Sequence, residues 1–218
     1  APSPTVPTHM PADAADLRYC REALPRVSRT FALNMRLLTG TFGEAVRLGY
    51  LMCRAADALE DSWPGEPERI RDRFERFLLA LNGDARALTG LSAEARALTS
   101  DRADLALVGD LGRLLRVHAS LPPAHREALT GGVGTLAEGM GRYAARAAGR
   151  PAGTAYLDTE PELDDYCWVV AGCVGVMLTR LFAAEYGPAD PALEARRLAA
   201  APAVGQALQL TNILLDWP

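Results

Sequence analysis

The chain has 218 residues, 49% of them hydrophobic and 23% charged, a size and apolar content that suit one globular domain with a sizeable core. A formal charge of -4 provides no basic field of the kind a nucleic-acid binder needs, so a polyanionic polymer is excluded as a partner class. All 23 cationic residues are Arg, a bias that GC-rich codons explain without any phosphate binding.

Residues 1–11 are Pro-rich and aperiodic and read as a disordered lead before a single helical domain, 12–218. Helices are predicted near 12–24, 29–38, 41–62, 66–83, 101–119, 122–147, 160–186 and 191–217, each rich in Ala, Leu, Arg and Glu. Start signals support several of them. Ser28 precedes an apolar-periodic run, Pro67 stands just inside EPERIRDRF, and Thr159 with Glu162 has the spacing of a capping box. The segment 148–159 reads as a surface loop. Alternating β-type stretches are nearly absent, so the expected fold class is all-α, a bundle of long helices around a central cavity. The last residues, NILLDWP, lie within a helical pattern, and the domain is expected to be incomplete at its C-terminus.

Cys20, Cys53, Cys167 and Cys173 form no C-x-x-C pair and have no His at zinc spacing. They read as free thiols of a reducing cytosol. No uninterrupted apolar run reaches the roughly 18 to 20 residues of a membrane helix, and no signal peptide opens the chain. The expectation is a cytoplasmic protein that spans no membrane, with peripheral membrane association open for release of an apolar product.

The third predicted helix carries Tyr50, Arg54, Asp57 and Asp61 at i, i+4, i+7 and i+11, all on one stripe of an otherwise apolar surface. Two carboxylates one turn apart repel each other when buried and unpaired, and Mg²⁺, which prefers hard oxygen ligands, would relieve them. An Arg54–Asp57 or Arg54–Asp61 ion pair on a solvated face fits the same pattern. The last helix repeats the spacing with Gly205, Gln209, Asn212 and Asp216, where Asn212 and Asp216 offer a neutral and an anionic oxygen to a second metal position. Gly172 and Gly175 fit either close helix packing or room for apolar ligand tails. Phe31, Trp168 and Phe182 fit a channel wall or a core. His9, His118 and His125 are assigned no role.

Four blocks in order carry a resemblance to the squalene/phytoene synthase family: SRTFALNMRLL, YLMCRAADALEDS, YCWVVAGCVGVMLTRLF and LQLTNILLD. The resemblance implies an isoprenoid-synthase fold and head-to-head condensation of two prenyl diphosphates. It implies that Ser28, Arg29 and Thr30, with Phe31 beside them, form a substrate-binding flap, and that Tyr50 and Arg54 bind diphosphate and handle the leaving group. Asp57, Asp61, Asn212 and Asp216 are the implied Mg²⁺ ligands, Gln209 an implied substrate contact, and Tyr166 an implied neighbour of the carbocation. No protein nucleophile is required.

CRAADALED and LTRLF are worded more like bacterial squalene synthases than phytoene synthases, whose first acidic element usually has Asp-Asp. Squalene formation from two molecules of farnesyl diphosphate is therefore expected, with phytoene or dehydrosqualene synthesis and a non-catalytic helical homologue as alternatives. Reduction of presqualene diphosphate would call for NADPH, yet GVGTLA at 132–137 follows no strand and reads as helix packing. Leu215 stands where the family usually has Arg, and no second acidic residue follows Asp216. The 218 residues by themselves are expected to be inactive.

Overall fold

A computed structural model describes residues 13–64, 69–98, 100–151, 154–187 and 190–215. Within them the chain forms α1 (Ala14–Val27), α2 (Arg29–Met35), α3 (Gly40–Asp61), α4 (Ile70–Leu81), α5 (Ala85–Ala97), α6 (Ala103–Gly109), α7 (Leu111–Ser120) and α8 (Pro123–Ala148). It continues with α9 (Glu160–Cys167), a π-helical turn (Trp168–Gly172), α10 (Cys173–Tyr186) and α11 (Pro191–Leu215). No strand occurs among the described residues, as expected. The proposed lead 1–11, the Pro67 signal and Asp216 lie outside them.

Caps account for several boundaries. The Ser28 hydroxyl accepts from the Phe31 N–H at 3.3 Å and starts α2. Only half of the expected capping box forms at α9. Thr159 accepts from the Glu162 N–H, whereas the Glu162 carboxylate turns outward to the Asp158 N–H at 2.6 Å.

Residues 85–97 form a further helix, beyond those that periodicity predicts. Gly83, at φ +97°, closes α4 with the paired bonds of a Schellman motif, Asp84 N–H to Leu79 C=O and Gly83 N–H to Ala80 C=O. Asp84 then caps α5 at once, accepting from the Ala87 N–H at 2.8 Å. The single helix expected over 101–119 breaks at Asp110 into α6 and α7, and the π turn interrupts the single helix expected over 160–186. A π turn adds a residue to the helical register, and such turns recur at functional sites.

The interior is built around α3 and α8. Leu48, Leu51, Met52, Ala55, Ala56 and Leu59 bury one broad face of α3, and Leu129, Val133, Leu136 and Ala137 do the same for α8. Glycine on α8 permits close approach. A Cβ at Gly139 would stand 2.0 Å from Val169, and one at Gly132 2.5 Å from Met177, so the GVGTLA segment serves helix packing as expected. A Cβ at Gly175 would lie 2.4 Å from the Ala201 carbonyl, and one at Gly205 2.3 Å from that of Ala171. Gly175 and Gly205 therefore bring the backbone of α11 against α10 and the π turn.

Two stretches correct the expectation about apolar length. Glu160–Tyr186 and Pro191–Leu215 each contain an 18-residue window, of mean hydropathy 1.8 and 1.3, long and apolar enough to cross a membrane. Uninterrupted runs understate them, because scattered Gly, Thr, Cys and Gln hardly lower the mean over a full helix. Core helices of soluble proteins have the same composition, but only 11% of the apolar window in Pro191–Leu215 is buried.

Candidate active site

The stripe on α3 becomes a charge network at the helix C-terminus. Arg54 Nη1 donates to Asp57 Oδ2 at 2.8 Å, which makes the Arg54–Asp57 ion pair real. It is not a solvated pair. The Arg54 and Asp57 side chains are only 28% and 24% exposed, and Arg54 Nε is buried with no hydrogen-bond partner. Arg54 Nη2 reaches Asp104 Oδ2 at 3.3 Å on α6. Asp104 also accepts from the Ser62 hydroxyl at 2.6 Å, just past the end of α3.

Three carboxylates crowd the last turn of α3, the negative end of its dipole. Burial, reinforced by Asp61 and Asp104 against the opposing pull of Arg54, pushes Asp57 up to about 6. Glu60 is pushed up to about 7, by burial first and then by Asp61 and Asp57. Asp61 is exposed. Glu60 lies off the stripe read from spacing, yet within the DALED run of the second family block it stands directly before Asp61. Cys53, on the same helix, has its thiol pKa raised by burial and by Asp57, so it is no ready nucleophile.

Tyr50 stacks on Phe31 with ring centroids 5.0 Å apart, which ties the block at 28–31 to α3. The Ser28 hydroxyl is spent on its cap, and Arg29 and Thr30 are exposed in the first turn of α2. Tyr166 on α9 lies edge-to-face with Tyr143 at 5.3 Å and Tyr156 at 6.2 Å. Its hydroxyl is held above the ordinary tyrosine range by burial, then by the Tyr156 hydroxyl, then by Glu60 and Asp61. Tyr166 is therefore within electrostatic reach of the acidic end of α3. The segment bearing Tyr156 is clasped by Arg146 and Arg150, both on Asp158.

The second stripe is not joined to the first among the described residues. α11 packs on α10, the π turn and α9. Gln209 is half-buried and Asn212 exposed. No group of three or more His, Cys, Asp or Glu among the described residues is arranged to hold a metal ion. Asp57 is engaged by Arg54, and Asp216 lies outside the description. Phe31, Trp168 and Phe182 are all partly exposed, at odds with a simple core role. Trp168 lines a cavity of about 670 Å³ with Phe74, Leu78, Gly139, Arg142 and Val169, and none of Tyr50, Arg54, Asp57, Asp61 or Tyr166 borders it.

An all-helical bundle whose polar site lies at a desolvated acidic helix end, within electrostatic reach of a half-buried tyrosine, is the class of protein that fold and site define. Within that class, the family model for squalene/phytoene synthase matches residues 24–218, and the chain belongs to that family. It is 28% identical over 203 residues to a squalene synthase of Candida albicans, across 93% of this chain and 43% of the relative. It is 28% identical over 207 residues to the squalene synthase of Homo sapiens, across 94% and 44%. The chain thus spans a little under half the length of these curated relatives. Solved structures of TcSQS with the ligands BPH1237 and E5700 superpose with TM-scores of 0.72 and 0.73 at 27% and 26% identity, covering 93% and 94% of this chain and 54% of theirs. The relatives named are eukaryotic, so the bacterial wording of the motifs gains no support from them.

Proposed function

We propose that the protein condenses two prenyl diphosphates head to head, with farnesyl diphosphate as substrate and squalene as product by way of presqualene diphosphate. The observation that carries this reading is the Arg54–Asp57–Asp104 network at the end of α3, within electrostatic reach of Tyr166. The chemistry of the α3 carboxylates, rather than their present arrangement, supports a divalent cation. Burial and mutual repulsion raise Asp57 and Glu60 at a negative helix end, and a cation would relieve both. Asp57 and Asp61 would hold Mg²⁺ from α3, and Asn212 and Asp216 would hold it from the last helix. When bound, Mg²⁺ supplies electrostatic stabilisation of a departing diphosphate.

The chain's own residues do the rest. Arg54 presents a cationic fork, which suits phosphate oxygens and developing negative charge. Ser28, Arg29 and Thr30 close over the diphosphate, Phe31 braces Tyr50 beneath them, and Gln209 contacts substrate. The Tyr166 hydroxyl, raised above the ordinary tyrosine range, keeps its proton and would guide a cation formed on ionisation to product. NADPH would furnish the hydride of the reductive step, but GVGTLA lies inside α8 against Met177, and no residue is assigned to that cofactor. The reading places the protein in the cytoplasm, in peripheral contact with membrane through its exposed apolar helices.

The test is an assay with radiolabelled farnesyl diphosphate and Mg²⁺, with and without NADPH, on the protein at the full length of its curated relatives, with residues 1–218 alone beside it as the form expected to be inactive. Squalene that forms only with NADPH is expected. A C30 or C40 product formed without NADPH would favour the dehydrosqualene or phytoene alternative, and no diphosphate turnover under either condition would overturn the enzymatic reading.

A further inference from the structure

We propose that Asp104 is a positioning residue for Arg54, a fixed carboxylate that keeps the guanidinium at the diphosphate end of α3 when a cation takes Asp57. The inference rests on the function proposed above. Arg54 is shared between two carboxylates, 2.8 Å from Asp57 on its own helix and 3.3 Å from Asp104 on α6. A divalent cation on Asp57 competes for the oxygens that Arg54 holds. With no second anchor, a flexible guanidinium would lose its orientation, and ordering it again would fall on the reacting complex.

Asp104 is built to stay where it is. It is 7% exposed, and its carboxylate accepts from the Ser62 hydroxyl at 2.6 Å, the Leu105 N–H at 2.9 Å, and Arg102 Nη2 and Nε at 3.1 and 3.3 Å. These bonds come from the end of α3 and from the start of α6, and none depends on Arg54. Burial works to raise the Asp104 carboxyl, and the hydrogen bonds from Arg102, Ser62 and the Leu105 N–H outweigh it and keep the carboxyl below its usual pKa. Arg54 therefore keeps a buried, ionised partner on Nη2, while its Nη1 side, now on Asp57, remains for phosphate oxygens when a cation takes that carboxylate.

Asp104 also ties α3 to α6, so the test must separate positioning from stability. Wild type, Asp104→Asn, Arg54→Gln and the double variant are compared by steady-state turnover of farnesyl diphosphate, calorimetric binding of inorganic pyrophosphate with Mg²⁺, and thermal melts. Loss of a charge-assisted anchor should lower kcat by about tenfold to a hundredfold in Asp104→Asn, with KM changed by about threefold at most. In the Arg54→Gln background the same change should cost nothing further in kcat, because a positioning residue acts through the group it positions. Should Asp104→Asn fail to fold, Ser62→Ala loosens the carboxylate without removing it, and a kcat loss of several fold, again absent beside Arg54→Gln, is expected. Unchanged kcat in a folded Asp104→Asn, or losses that multiply with those of Arg54→Gln, would overturn the inference. If wild type binds no pyrophosphate with Mg²⁺, the functional reading fails and this inference falls with it. Binding by wild type with undiminished binding and turnover in Asp104→Asn defeats the inference alone.

Discussion

The end of α3 and the end of α11 carry polar stripes of identical spacing in opposite surroundings. On α3 the stripe borders the core, so Arg54 takes Asp57 on its own helix and Asp104 from α6, and Asp104 takes Ser62. On α11 the stripe runs along a helix touched on one side only. Gly205 is pressed against Ala171, while Asn212 and its apolar neighbours Leu208 and Leu214 face outward. Spacing alone sets which residues share a face; neighbouring helices set whether that face has unusual chemistry. Raised carboxylate pKa values arise at α3 because solvent is removed from charges that repel each other, a condition exposed Asn212 does not meet.

The largest expected difference between the two regions is in turnover. Asp57→Asn should lower kcat by about a hundredfold to a thousandfold, with Asp61→Asn close behind, whereas Asn212→Ala, which removes a neutral oxygen, should cost about tenfold. Circular dichroism should show unchanged helical content in all three. Near-wild-type rates in both Asp variants would remove the metal assignment on α3.

Stability should differ in the same sense. Leu51→Ala empties a fully buried site on α3 and should cost about 2–5 kcal/mol in denaturant unfolding. Leu208→Ala, at a side chain 63% exposed on α11, should stay within about 0.5 kcal/mol. A large loss at Leu208 would mean that this face is covered in solution.

A smaller effect concerns acid. Arg116 on α7 grips Asp16 on α1 with two bonds, at 2.7 and 2.8 Å, and holds its carboxyl below the usual range. A carboxylate whose folded pKa is depressed contributes stability above its unfolded pKa, about 3.9, and loses it as pH falls through the folded value. Asp16→Asn should therefore destabilise by about 1–3 kcal/mol at pH 7. The gap to wild type should close as pH drops below the unfolded value. A gap that persists undiminished at low pH would show that packing, not charge, holds α1 to α7.

The smallest effect is expected at Asp72, on the exposed face of α4. It pairs with Arg76 at 2.9 Å across one helical turn with its own side chain 53% exposed. Asp72→Asn should change stability by about 0.5 kcal/mol at most and leave turnover unaltered.

Much of the architecture was legible before any coordinate. Apolar periodicity is local, so the long helices and the shared faces of Tyr50, Arg54, Asp57 and Asp61 followed from spacing, and Ser28 announced its cap. Breaks that depend on register were less legible. Nothing in WVVAG distinguishes a π turn from an α turn, and Asp84, although a good cap residue, stands between two helices so closely joined that they read as one element and a loop. The pairing of Asp104 with Arg54, 50 residues apart, had no local signal at all. By itself, the sequence determined the helical class, the two stripes and the family blocks, because each is written in contacts between near neighbours along one helix. Tertiary structure alone decided that Arg54 has a second carboxylate, that Glu60 joins Asp57 in a desolvated acidic end, and that Tyr166 feels both Glu60 and Asp61, because burial and through-space charge exist only once distant helices are packed against one another.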